Sequence, residues 1–101
     1  MNHCIACGMP LTRPEDCAGG DLNAVSCVHC TDKNGEIKPC AEIFEGGVQF
    51  FMGATGSPRD LAERLTRKNM NRLEHWQNNP CDLLKGETAS DEEFQAALGQ
   101  L

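Results

Sequence analysis

The sequence predicts an α+β fold: a small N-terminal region of short β-hairpins over residues 1–40, then two or three α-helices over residues 41–101. Three observations carry this reading. Only eight of the 24 large apolar side chains lie in residues 1–40, and no aromatic residue precedes Phe44. Six of the seven cysteines are in that same apolar-poor segment. Helical periodicity and capping signals appear only after residue 40. Forty residues with so little to bury cannot be held by burial alone, so covalent or metal cross-links must replace a core. The helical segment packs on or follows this region, and 101 residues suit one compact unit.

In chain order, Ala18-Gly19-Gly20-Asp21 and Lys33-Asn34-Gly35-Glu36 are turns flanked by short strands. Asn34-Gly35 suits a two-residue hairpin turn, because both residues tolerate positive φ. Residues 41–53 fit a helix: Ile43, Phe44, Gly47, Phe50, Phe51 and Ala54 share one sector, with close packing over the Gly46-Gly47 pair. Each glycine costs a helix about 1 kcal/mol. Residues 57–79 read as one helix with Ser57 as N-cap, Pro58 at the first position and Asn78-Asn79-Pro80 as its stop. Its apolar face is Leu61, Ala62, Leu65, Leu73 and Trp76. Residues 80–89 form a polar linker around Leu83-Leu84. Ser90-Asp91-Glu92-Glu93 is a capping-box pattern, opening a terminal helix with Phe94, Ala97, Leu98 and Leu101 on one face.

The net charge is −6 and the pI about 4.9. Such a chain is repelled by nucleic acid unless its basic groups gather on one face. No stretch approaches the roughly 18 apolar residues of a membrane span. Met1-Asn2-His3-Cys4 has neither a basic nor an apolar signal region, so the expected location is the cytoplasm. In that reducing compartment cysteines serve as metal ligands or redox groups more often than as disulfides, and an odd count argues against a complete disulfide framework.

Cys4-Ile5-Ala6-Cys7 and Cys27-Val28-His29-Cys30 are two C-x2-C pairs with 19 residues between them, the spacing of a two-knuckle zinc site. Two intervening residues let the backbone turn tightly and aim both sulfurs at one point. Gly8 follows the first pair, where a positive φ costs little. The expected ligands are Cys4, Cys7, Cys27 and Cys30, holding one Zn²⁺ per chain. Four thiolates at about 2.3 Å leave no position for water or substrate, so such a site is structural. Iron in the same thiolates is a rival; rubredoxins share this cysteine pattern but surround the iron with aromatic residues, and residues 1–43 contain none. A dithiol redox pair is a weaker rival, since it needs a cysteine exposed at a helix N-terminus.

Cys4-x-x-Cys7-Gly8-Met9-Pro10-Leu11, Glu15-Asp16, Cys27-x-x-Cys30 and Asn34-Gly35 together resemble a family of small bacterial zinc ribbon proteins. Asn69-Met70-x-x-Leu73-x-x-Trp76 is similar to that family's helical tail, so the likeness spans roughly residues 3–77. The resemblance implies a zinc ribbon followed by helices, with the four named cysteines as ligands, and no established catalytic activity. Cys17 stands where the family usually has an aromatic residue after Glu-Asp, and Cys40 and Cys81 are additions. Ligand exchange, a second partial site, or a redox role stays open for these three thiols; simple burial is the plainer reading.

His3, His29 and His75 read as surface residues. Arg59, Arg64, Arg67, Lys68 and Arg72 crowd into fourteen positions, and Arg64, Arg67, Lys68 and Arg72 are the candidate interaction face. Asp60, Glu63 and Glu74 project to the same side, and Asp60–Arg64 and Glu63–Arg67 are favourable i,i+4 pairs, which makes a mixed solvated face the plainer reading. There is no nucleophile–base set, phosphate loop or His-Glu-x-x-His. The sequence therefore points to a non-enzymatic zinc ribbon that binds another macromolecule, a protein before a nucleic acid, and no membrane. A nucleic-acid-associated regulator and a redox-sensitive thiol protein are the alternatives.

Overall fold

The N-terminal region is held by turns and sparse pairing rather than by a sheet. The computed structural model describes residues 2–8 and 10–100; Met1, Met9 of the Cys-Gly-Met-Pro signature, and Leu101 lie outside the described residues. Strand β1 (Asn2–His3) pairs antiparallel with β2 (Pro10–Leu11), in the register Asn2 to Leu11 and His3 to Pro10. Isolated bridges join Cys17 to Cys27 and Thr31 to Ile37. Two single 3₁₀ turns, Pro14–Asp16 and Ala18–Gly20, carry the chain between the two knuckles.

The turn at residues 32–36 forms, but not as the two-residue type. Among the described residues no non-glycine residue has positive φ, so Asn34 does not supply one, whereas Gly35 sits at +83°. Asp32 closes the loop instead. Its Oδ1 accepts from the amides of Asn34 (2.9 Å) and Glu36 (3.0 Å), and its own amide donates to the Glu36 carbonyl (2.8 Å).

Helix α1 (Cys40–Thr55) begins immediately after Pro39 and ends on Gly56 in the left-handed conformation. It buries Ile43, Phe44, Val48 and Phe51. The two internal glycines do different things. A Cβ on Gly47 would lie 2.7 Å from Thr66 Cγ2, so Gly47 is what lets α1 approach α2; Gly46 faces open space.

Helix α2 (Arg59–Asn71) buries Ala62, Leu65, Thr66 and Met70. Its cap corrects the sequence reading: Pro58 is the N-cap, no side chain caps it, and the Ser57 hydroxyl instead shares a hydrogen bond with Thr55. The expected single helix over 57–79 is also corrected. The chain leaves the helix at Leu73 (φ −90°, ψ 130°) and resumes as α3 (Glu74–Asn78). No glycine or proline lies between residues 59 and 79, so neither of the strong helix breakers marks the break. The break delivers Trp76 to the first knuckle, where its indole N–H donates to the Ala6 carbonyl.

The expected linker contains a 3₁₀ turn, Asp82–Lys85, that buries Leu84. Helix α4 (Asp91–Leu98) has the anticipated capping box, with Ser90 Oγ accepting from the Glu93 amide and the Glu93 carboxylate accepting from the Ser90 amide. Phe94 and Ala97 are buried, but Leu98 is exposed. A disulfide links Cys40 at the start of α1 to Cys81 after α3, so these two are not spare thiols in this structure. Buried residues run without interruption from the knuckles through α1 and α2 to α4, and the regions 1–40 and 41–100 share one core.

Candidate metal centre

Each knuckle is shaped by its own backbone. In the first, the Gly8 amide donates to the Cys4 carbonyl (2.8 Å), Gly8 takes φ +81°, and the Ala6 amide donates to Cys4 Sγ (3.4 Å). In the second, the Cys30 amide donates to the Cys27 carbonyl (3.2 Å), while Thr31 Oγ1 donates to the same carbonyl (2.9 Å). The amide of Ile5 donates to the Val25 carbonyl (2.9 Å), which docks one knuckle against the other.

The helices support the first knuckle directly. Trp76 Nε1 donates to the Ala6 carbonyl (2.7 Å), and Asn69 Nδ2 donates to the Cys7 carbonyl (2.9 Å). Gly8 packs against α2 so closely that a Cβ there would lie 3.1 Å from an Arg72 nitrogen. Sequence reasoning placed Trp76 on an apolar face and gave Asn69 no task. The available signal was the tail pattern Asn69-Met70-x-x-Leu73-x-x-Trp76, whose polar members turn out to hold the cysteine loop.

The result is a cluster of four sulfurs, those of Cys4, Cys7, Cys27 and Cys30, all within 4.8 Å of one another. Cys7 Sγ and Cys27 Sγ are 3.7 Å apart. A tetrahedron with metal–sulfur bonds of about 2.3 Å has edges of roughly 3.8 Å, so the cluster has the size that Zn²⁺ requires. Its electrostatics agree. Four crowded thiols cannot all ionise unaided. Hydrogen bonds, first from Cys27, hold the Cys4 thiol far below its usual range, and those from Cys30 bring Cys27 down to about 6. Contact with Cys27 is the main cause that pushes Cys7 and Cys30 up. A divalent cation resolves this conflict by taking the place of the retained protons.

A family model described as "Putative zinc ribbon domain" matches residues 3–77. The chain belongs to this zinc ribbon family. The match includes both knuckles, α1, α2 and Trp76, and stops before the disulfide's second cysteine and α4. No curated protein and no solved structure matches the chain.

The ribbon's other singled-out residues fall outside the cluster. Cys17 is buried, its Sγ donates to the Arg13 carbonyl (3.3 Å), and burial pushes its thiol up. His3 and His29 are exposed, as expected. His75 is not fully solvent-facing: it is half-buried and stands edge-on to Trp76 at 4.5 Å.

The four cations of the candidate interaction face are engaged inside the molecule. Arg64 meets Glu93 (2.9 Å) and Asp60 (3.4 Å), and Lys68 meets Asp91 (2.7 Å). Arg67 donates to the carbonyls of Leu83 (2.8 Å) and Glu87 (3.3 Å) and lies over Phe44. Arg72 donates to Asn69 Oδ1 (3.0 Å) and lies over Phe94. Of the two expected helical pairs, Asp60–Arg64 forms, while Glu63 pairs with Arg59 (3.3 Å) instead of Arg67. These side chains fasten residues 82–94 onto α2.

Proposed function

We infer that the chain is a non-enzymatic zinc ribbon, one Zn²⁺ per chain, whose work is to bind another protein. The observation that carries this reading is the closed four-sulfur set, which fills the tetrahedron of Zn²⁺ with protein ligands and reserves no position for a substrate. Protein is favoured over nucleic acid by three features. The basic stripe of α2 is occupied by the chain's own carboxylates and carbonyls. The ribbon meanwhile exposes Leu22, Val25 and Val28, with Phe50 exposed on α1. Exposed apolar side chains suit a protein interface. A chain of net charge −6 is repelled by phosphate backbones.

Metal analysis of protein purified without added zinc tests the first part, with one equivalent of zinc expected and iron or no metal overturning it. Pull-down with the zinc-loaded chain tests the second. A protein retained by wild type and lost with Val25→Asp is the expected result. Recovery of nucleic acid alone, with salt-sensitive binding, overturns it.

A further inference from the structure

The cluster is not enclosed on all sides. A cleft of about 590 Å³ lies between the first knuckle and α1, and Cys7, Cys27 and Cys30 are in its wall. Cys4 is not, and lies fully buried. The rest of the wall is mainly apolar, with Ile43, Phe50, Phe51 and Met70 contributing. Five cysteines are free in this chain, and four of them are buried; Cys7 is the half-buried exception. Cys17 is withdrawn from reaction by burial, and Cys40 and Cys81 are joined to each other.

We propose that Cys7 is a covalent modification site for apolar, soft carbon electrophiles, the α,β-unsaturated carbonyl class, which the cleft admits to the metal centre. A metal-bound thiol is a thiolate and keeps nucleophilic character. Exposure then decides which ligand reacts. The Cys7 sulfur lone pair attacks the β-carbon. An S–C bond forms as the C=C π bond breaks, the π pair moves into the enolate, and the α-carbon takes a proton from water, leaving hydroxide. Cys7 becomes a neutral thioether, a poor ligand, and the set falls from four thiolates to three. The apolar wall selects the electrophile, since a ring seated against Phe50 and Ile43 loses water-exposed surface. This inference rests on the zinc-loaded centre of the proposed function, not on the identity of its partner, and metal analysis separates failure of the centre from failure of the proposal.

The test uses the full-length zinc-loaded chain and less than one equivalent of N-phenylmaleimide, with peptide mass spectrometry to place the adduct and a coloured chelator to follow zinc. The first adduct is expected on Cys7, with zinc released in step. The rate ratio of N-phenylmaleimide to N-methylmaleimide is expected to exceed the ratio for glutathione by about tenfold. Gly46 lines the cleft with open space at its Cβ position. Gly46→Leu therefore fills the cleft and brings the ratio to the glutathione value, while its melting temperature stays at or above wild type. Phe50→Ser, at an exposed position, lowers the ratio without filling the cleft. A first adduct on Cys4, Cys17, Cys27 or Cys30 overturns the proposal. So does a wild-type ratio equal to that of glutathione.

Discussion

Trp76 shows what one side chain from outside the metal loop contributes to it. Its indole N–H satisfies a buried knuckle carbonyl, that of Ala6, at 2.7 Å. Trp76→Phe keeps most of the apolar contact and strands that carbonyl. A loss of about 1–3 kcal/mol in chemical denaturation is expected, with weaker zinc retention against a competing chelator. A second residue-scale prediction concerns acid. Arg59, helped by Gln49, holds the Glu45 carboxyl down to about 2 from its ordinary 4.5. A carboxylate depressed in the folded state stabilises that state above its unfolded pKa and loses the effect as pH falls through the folded value. The melting temperatures of wild type and Glu45→Gln should therefore differ above pH 4.5 and converge toward pH 2. A difference that is constant over this range would assign the effect to packing rather than charge. Both carboxylate and guanidinium are about half exposed, so solvent screening keeps the difference small.

At the scale of the element, α1 carries adjacent glycines with opposite roles. Gly46 meets nothing within 4 Å of an added Cβ, so Gly46→Ala should stabilise the chain by about 0.5–1 kcal/mol through helix propensity. Gly47→Ala gains the same propensity but drives its methyl into Thr66. Thr66 cannot simply rotate away, because its hydroxyl is bonded to the Ala62 carbonyl at 2.7 Å. The net effect of Gly47→Ala should be destabilising. Paired urea titrations decide this, and equal shifts in the same direction would mean that the two helices are not in close contact at this point.

For the whole molecule, metal and apolar burial divide the work. Sixteen of the 24 large apolar side chains lie after residue 40. Chelation or Cys27→Ser should remove the zinc and abolish amide protection across residues 3–38, while α2 keeps part of its protection. An undisturbed ribbon after chelation would show that something other than metal holds it. The Cys40–Cys81 link spans 41 residues and encloses α1, α2 and α3. In the chain-entropy picture it stabilises by at most about 4 kcal/mol. Thiol counting in denaturant with chelator should give five thiols for the oxidised chain and seven after reduction. Cys81→Ser should lower the melting temperature and leave zinc content at one equivalent.

What the sequence determined by itself was local or set by spacing. Two C-x2-C pairs define two tight turns and a four-thiolate ligand set, wherever the rest of the chain goes. The family pattern and the capping box at Ser90 were legible for the same reason, each being a short-range stereochemical requirement written in a few neighbouring residues, whereas the close packing read over Gly46-Gly47 falls to Gly47 alone. Tertiary structure decided the rest. The break at Leu73 carries no glycine or proline and goes with the reach of Trp76 to Ala6, 70 positions away, a contact that exists only in the folded chain. The fate of the α2 cations was equally invisible, since Glu93, Asp91 and the Leu83 carbonyl arrive only after the chain folds back. The pairing of Cys40 with Cys81 depends on where α1 starts relative to the end of α3. Spacing along a chain fixes turns and ligand sets, whereas long-range hydrogen bonds and ion pairs depend on which surfaces meet, and that is a property of the packed molecule.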